Sequence, residues 1–251
     1  QIQDFLEPSS VNPQTALVLV NAIYFKGKWK TPFKEEQTQE VPFNVTEQES
    51  RPVQMMCQNS TFRVARASNE YQKDANRISF RNHSGWDFTF MIPLTEMNGR
   101  KKLDLHPRCF IPCFSLQLEN KISFEKLAEW TSSKVMEKKK VKVYLPRMKI
   151  GEKYNLTSVL TSLGMTDLFS PSANLSGISS AQSLRVSEAI HEAFMEVTEE
   201  GTEEAGGSAD DTEDIQHSSE YEEFRADHPF LFLIKHNPSN LILFFGRYCS
   251  P

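Results

Sequence analysis

Residues 224–245 read FRADHPFLFLIKHNPSNLILFF, from Phe224 to Phe245. Two apolar runs, Pro229 to Ile234 and Leu241 to Phe245, are short enough for strands. Between them lies a polar connection in which Asn237-Pro238 is a turn signal. The expectation is a buried hairpin. The stretch just before it has the opposite character. From Glu192 to Glu223 there are thirteen Asp or Glu residues and no Lys or Arg, so a chain of net charge −5 carries about +8 elsewhere. Glu199 to Glu223 is also rich in Gly, Ala and Ser, with few apolar anchors. That composition reads as a long exposed loop, and a loop of this length inside a compact domain is usually functional.

Further out, TALVLVNAIYF (Thr15 to Phe25) is a continuous apolar run that suits a strand buried on both faces. KVKVYLP alternates Val141, Val143 and Leu145 against Lys140, Lys142 and Tyr144, the period of a strand with one wet face. A helix is expected after Ser123, with Phe124, Leu127, Ala128 and Thr131 as its stripe. A second follows Asn155 as its candidate N-cap, carries Leu156, Val159, Leu160 and Leu163, and stops at Gly164. The fold is therefore mixed, with strands predominating.

The 251 residues, 39% hydrophobic and 24% charged, have the composition of one globular domain or a large piece of one. The longest apolar stretch is broken by Asn21 and falls short of the ~20 residues that cross a bilayer, so no membrane role is expected. The chain opens on QIQDFL, similar to the tail of an amphipathic helix, without a leader. The expectation is a chain cut from something longer. Cys57, Cys109, Cys113 and Cys249 show no CxxC spacing and leave the redox compartment open. Sequons at Asn44, Asn59, Asn82, Asn155 and Asn174 favour secretion into the extracellular space.

FRADHPFLFLI resembles the signature of the serpin family. NAIYFKGKW (Asn21 to Trp29), NLTSVLTSLGMTDLF (Asn155 to Phe169), SGISS (Ser176 to Ser180) and EEGTEEAGG (Glu199 to Gly207) fall in serpin order, in wording similar to the ovalbumin-like (clade B) group. The resemblance implies an α+β fold of three β-sheets with surrounding helices and an exposed reactive loop. It makes residues 1–251 a single partial domain whose N-terminal third is missing. It puts the reactive loop at about 199–224, with a hinge of Glu199, Glu200, Gly201, Thr202, Glu203, Glu204 and Ala205, and a scissile region near Ile215 and Gln216. His191 falls at the family's shutter histidine. The pattern degrades over about 67–118, and residues 100–117 have no family counterpart. Within them Phe110 to Leu116 can all be written with pyrimidine-rich codons and Gln117 with CAG, which reads as a translated splice-acceptor tract.

Inhibitory serpins trap a protease when the cleaved loop inserts into the main sheet. On family geometry Thr202, Glu204, Gly206, Ser208, Asp210, Thr212 and Asp214 would face inward. Thr202 and Ser208 suit that face. Glu204 and Asp210 do not, because an unpartnered buried carboxylate costs several kcal/mol or must take up a proton. Gly206 and Gly207 each add about 0.5–1 kcal/mol of backbone entropy to be lost. The expectation is a non-inhibitory protein, the alternative a functional serine-type endopeptidase inhibitor; proteases are candidate partners on either reading. With no Lys or Arg in the loop, a trypsin-like target is not expected.

Lys138, Lys139, Lys140, Lys142, Arg147 and Lys149 gather enough charge to hold a heparin-like polysaccharide. The resemblance favours this, since the group includes a heparin binder; an ordinary solvated strand face is the alternative. No nucleic-acid motif accompanies the patch, and nucleic acid is not an expected partner. His106, Cys109 and Cys113 fit no zinc spacing, so neither metal nor cofactor is expected. No GxSxG elbow or paired nucleophile is present, and no enzyme is expected. Among the sequons, Asn155 and Asn174 are the first candidates for N-glycosylation.

Overall fold

The computed structural model describes residues 6, 11–46, 48–65, 75–81, 86–93, 122–130, 132, 136–180, 184–200, 221–236 and 238–251. These fall into two compact units, one of residues 1–26 and 148–197 and the other of residues 27–147 and 198–251.

In the second unit, eight strands form one hydrogen-bonded sheet: β2 (Gln39–Asn44), β3 (Ser50–Ala65), β4 (Ala75–Arg81), β5 (Trp86–Pro93), β6 (Glu137–Pro146), β9 (Glu222–Arg225), β10 (Phe230–His236) and β11 (Leu241–Tyr248). The order is β11-β10-β5-β4-β3-β6-β9, with β2 paired to β3. The sixteen-residue β3 is the hinge of this arrangement. Ser50 to Met55 pair with β2, Met55 to Val64 with β6 and Arg63 to Ala65 with β4, so groups of strands that could stand as separate sheets become one ladder.

The segment from Phe224 to Phe245 threads through this sheet. Phe224 ends buried on β9, which runs parallel to β6, and the Ala226 amide donates to the Tyr144 carbonyl at 2.9 Å. The Asp227 carbonyl accepts the Asn44 amide at 2.8 Å, and the Asp227 carboxylate meets His228 Nδ1 at 2.8 Å. The chain then enters β10, where Phe230 to Ile234 are 0–5% exposed. Leu231 and Leu233 pack on Leu127 of the helix α1 (Phe124–Trp130). That helix starts where expected, with Ser123 Oγ accepting the Lys126 amide at 3.2 Å as its N-cap. Trp29, Phe62, Phe80, Phe88 and Phe90 form an aromatic cluster in the same unit, with successive ring centroids 4.7–5.6 Å apart.

Only half of the expected buried hairpin is buried. β10 has neighbours on both edges, whereas β11 is the edge strand and leaves Leu241, Ile242 and Phe245 exposed. Asn240 closes the turn with a φ of 56°.

The first unit holds a three-stranded sheet in the order β1 (Val18–Lys26), β8 (Glu188–Val197) and β7 (Met148–Asn155). β1 starts at Val18, three residues into the expected run, and pairs parallel to β8, but the expectation of burial on both faces is overturned: Leu19 is 41% and Val20 52% exposed. As an edge strand it has one neighbour, and no other segment of its unit covers Leu19 or Val20 among the described residues. The short helix α2 (Thr157–Ser162) follows β7. Asn155 Oδ1 accepts the Thr157 amide at 3.0 Å, one position ahead of the geometric N-cap at Leu156. At the other end the Gly164 amide bonds to the Thr161 carbonyl and the Met165 amide to the Leu160 carbonyl. Gly164 takes the left-handed conformation this double cap needs, at a φ of 96°.

Candidate functional site

Glu199 is the first residue of the expected hinge and of the expected exposed loop. It is 4% exposed. Its carboxylate is fully engaged: Arg147 donates through Nη2 to Oε1 at 2.7 Å and through Nε to Oε2 at 3.0 Å, and the Thr38 hydroxyl donates to Oε1 at 2.7 Å. Burial pushes this carboxyl toward protonation, but the bonds from Arg147 and Thr38 outweigh it and hold the group below its ordinary value of 4.5.

The backbone around it is clamped as well. The Trp29 indole N–H donates to the Thr198 carbonyl, the Trp29 amide to the Glu200 carbonyl at 3.0 Å and the Phe33 amide to the Glu199 carbonyl at 3.1 Å. Arg147 is positioned in turn by its own amide, which donates to the Gln54 carbonyl at 2.8 Å just past the end of β6. The segment from Trp29 to Thr38 thus holds Thr198, Glu199 and Glu200 at the point where the acidic stretch begins. Gly201, Thr202, Glu203, Glu204, Ala205, Ile215 and Gln216 lie outside the described residues, as do residues 67–74, 94–121 and the His106, Cys109 and Cys113 set. At the far end of the acidic stretch, Glu222 and Glu223 are already in β9, although composition alone assigned them to the loop.

His191 sits at the centre of the three-stranded sheet. Asn21 faces it across β1, with Nδ2 2.9 Å from His191 Nδ1, and Tyr154 stacks on it from β7 with ring centroids 6.2 Å apart.

Of the six basic residues, three share one side of β6. On β6 the alternation puts Lys138, Lys140 and Lys142 on the solvent side, opposite the fully buried Val141, Val143 and Leu145. Lys139 falls on the other side, where it pairs with Glu222 at 3.3 Å and Glu137 at 3.8 Å. Arg147 is bound to Glu199, and Lys149 belongs to the other unit, with its Nζ 5.5 Å from the Phe194 ring centroid. Asn155 is exposed at the end of β7, and Asn174 Oδ1 accepts from the Ser176 amide and hydroxyl at 3.3 and 2.8 Å. No described helix is long and apolar enough to cross a membrane.

Sequence reasoning missed the partnership of Glu199 with Arg147, Thr38 and Trp29. No local pattern marks it, since the arginine is 52 residues away along the chain.

The family model for serpins (serine protease inhibitors) matches residues 1–251. The chain is 56% identical to ovalbumin-related protein X of Gallus gallus over 251 residues, covering all of both chains. It is 55% identical to ovalbumin of Dromaius novaehollandiae, covering all of this chain and 59% of that protein. Among solved structures it is similar to uncleaved ovalbumin, with a TM-score of 0.79, 50% identity, and coverage of 100% of this chain and 58% of that one. A loop-inserted, cleaved ovalbumin mutant gives a TM-score of 0.74 at 44% identity, covering 100% and 59%. Native protease nexin-1 with heparin gives 0.79 at 30% identity, covering 100% and 62%. The chain spans about three fifths of the ovalbumins it matches, and it belongs to the serpin family, in the ovalbumin-like group.

Proposed function

We propose that this chain is the larger part of a secreted, glycosylated ovalbumin-like serpin that traps no protease and instead serves as a storage or polysaccharide-binding protein. The observation that carries the non-inhibitory reading is the pair Glu204 and Asp210, two carboxylates at positions that strand insertion would bury. Trapping is a race between insertion and hydrolysis of the acyl-enzyme, so anything that slows insertion favours release of cleaved product. Secretion and glycosylation are supported by the five sequons, with Asn155 and Asn174 as the first sites. The basic residues of β6 support polysaccharide binding, and the heparin complex of protease nexin-1 adds weight to it.

A second reading has one observation in its favour. A cleaved ovalbumin mutant is known in the loop-inserted state, and Gly201 and Thr202 of this chain agree with the inhibitory hinge pattern. On that reading the protein is a working endopeptidase inhibitor.

The test is incubation of the intact protein with elastase-like, chymotrypsin-like and cysteine proteases, followed by denaturing electrophoresis. The expected result is cleavage near Ile215 and Gln216 without any band at the summed mass. A stable covalent complex sinks the non-inhibitory reading.

A further inference from the structure

The basic run of β6 is contiguous in sequence and divided in space between the two sides of the sheet. On the solvent side Lys138, Lys140 and Lys142 recur every second residue, about 6.6 Å apart along the strand. The neighbouring strand β3 adds a cation from outside the run. Arg63 pairs directly with Lys138, while Thr61 and Asn59 stand opposite Lys140 and Lys142. The Tyr144 hydroxyl stabilises the charged form of Lys142 and raises its pKa.

Like charges directly across a sheet repel one another. Glu223 stands opposite Lys142 and is occupied by Arg225, whose Nε and Nη2 lie 3.0 and 3.4 Å from its oxygens, and at the other end of the row Asp87 lines the same cavity as Arg63 and Lys138. Glu137 and Glu222 project to the other side of the sheet with Lys139. Beyond Lys142 the face descends into a cavity of about 670 Å³, whose wall includes Asn59, Tyr144 and Arg225.

Resting on the polysaccharide reading above, we infer that a sulfated polysaccharide binds along this one face through Arg63, Lys138, Lys140 and Lys142, and that Lys139, Arg147 and Lys149 take no part. A row of cations at strand spacing, with hydrogen-bonding Thr61 and Asn59 beside it, complements a linear chain bearing regularly spaced anionic groups. Lys139 and Arg147 already have carboxylate partners, so recruiting them would break existing ion pairs.

Two variants that each remove two charges decide the matter: Lys138→Ala with Lys140→Ala, and Lys139→Ala with Lys149→Ala. The intact protein and both variants are run on immobilised heparin in a salt gradient, and their Kd values for soluble heparin are measured. The first pair is expected to weaken binding roughly thirtyfold and Arg63→Ala alone about fivefold, whereas the second pair changes it by less than about threefold. Lys138→Arg with Lys140→Arg restores binding, which separates charge from damage to the fold. Equal loss in both pairs overturns the assignment to one face and leaves polysaccharide binding standing. Failure of the unmodified protein to bind heparin at physiological salt overturns both. Tighter binding of a nucleic acid than of heparin through the same residues overturns the ligand class.

Discussion

β1 and β10 read alike in the sequence, each an apolar run of strand length, yet they differ in burial. Phe230 to Ile234 are 0–5% exposed, while Leu19 and Val20 lie open along β1. Hydrophobicity tells that a strand wants cover; it does not say what supplies it. β10 receives its cover from its own unit, between β5 and β11 at its edges and against Leu127 of α1 on one face. β1 has β8 on one edge and, among the described residues of its unit, no such cap. Burying a leucine stabilises by roughly 1.5–3 kcal/mol, so the same residue type contributes very differently in the two strands.

The identical substitution in both places is the most direct attempt to break this contrast. Leu233→Ala is expected to destabilise the protein by about 2–5 kcal/mol, because the fully buried site leaves a cavity. Leu19→Ala should cost under about 1 kcal/mol. Urea titration of the intact protein, followed by tryptophan fluorescence and circular dichroism, measures both. Equal losses would mean that β1 is covered in solution by something other than its own unit.

Next in size is the anchor at Glu199. Arg147→Ala strands a buried carboxylate, and the expected loss is about 2 kcal/mol, less than the roughly 3–5 kcal/mol of a fully buried pair because the guanidinium is 45% exposed. The pH dependence has a definite sign. Since Glu199 is held below 4.5 in the folded protein, its contribution is complete above the unfolded value and is lost as pH falls through the lowered folded one. The stability gap between the wild type and Glu199→Gln should therefore shrink on acidification below about 4.5. A gap that stays constant from neutral to acid pH would show that the charge of Glu199 contributes nothing. Limited proteolysis of Arg147→Ala reports whether release of Glu199 opens the chain at Thr198 to Glu200.

What was legible in the sequence was whatever depends on neighbours in the chain. The two-residue period of β6 correctly put Val141, Val143 and Leu145 inside, and Ser123 and Gly164 marked helix ends because caps are local chemistry. The serpin signature carried the family. Lost to the sequence was everything settled across the fold. Glu222 and Glu223 look like loop by composition, yet pairing with Val141 and Lys142 makes them strand, with Phe224 as the buried anchor. Arg147 looks like its lysine neighbours until Glu199 is seen against it.

An effect smaller than those expected at Leu233 and Arg147 sharpens the contrast within the hairpin itself. β11 is half exposed, so a glycine there invites replacement, but Gly246 lies directly across from Phe232 of β10. A Cβ added to Gly246 would come within 2.7 Å of Phe232 Cζ and 3.0 Å of Cε1. The ring is 5% exposed and close-packed, so it yields only by straining its rotamer or the strand. Gly246→Ala is therefore expected to cost about 1–2 kcal/mol, although the same change usually favours a strand. Pairing it with Phe232→Leu, which takes away the ring edge, should return part of that loss in a double-mutant cycle. Additivity of the two changes would locate the penalty in the backbone of β11 and not in its contact with the buried face of β10.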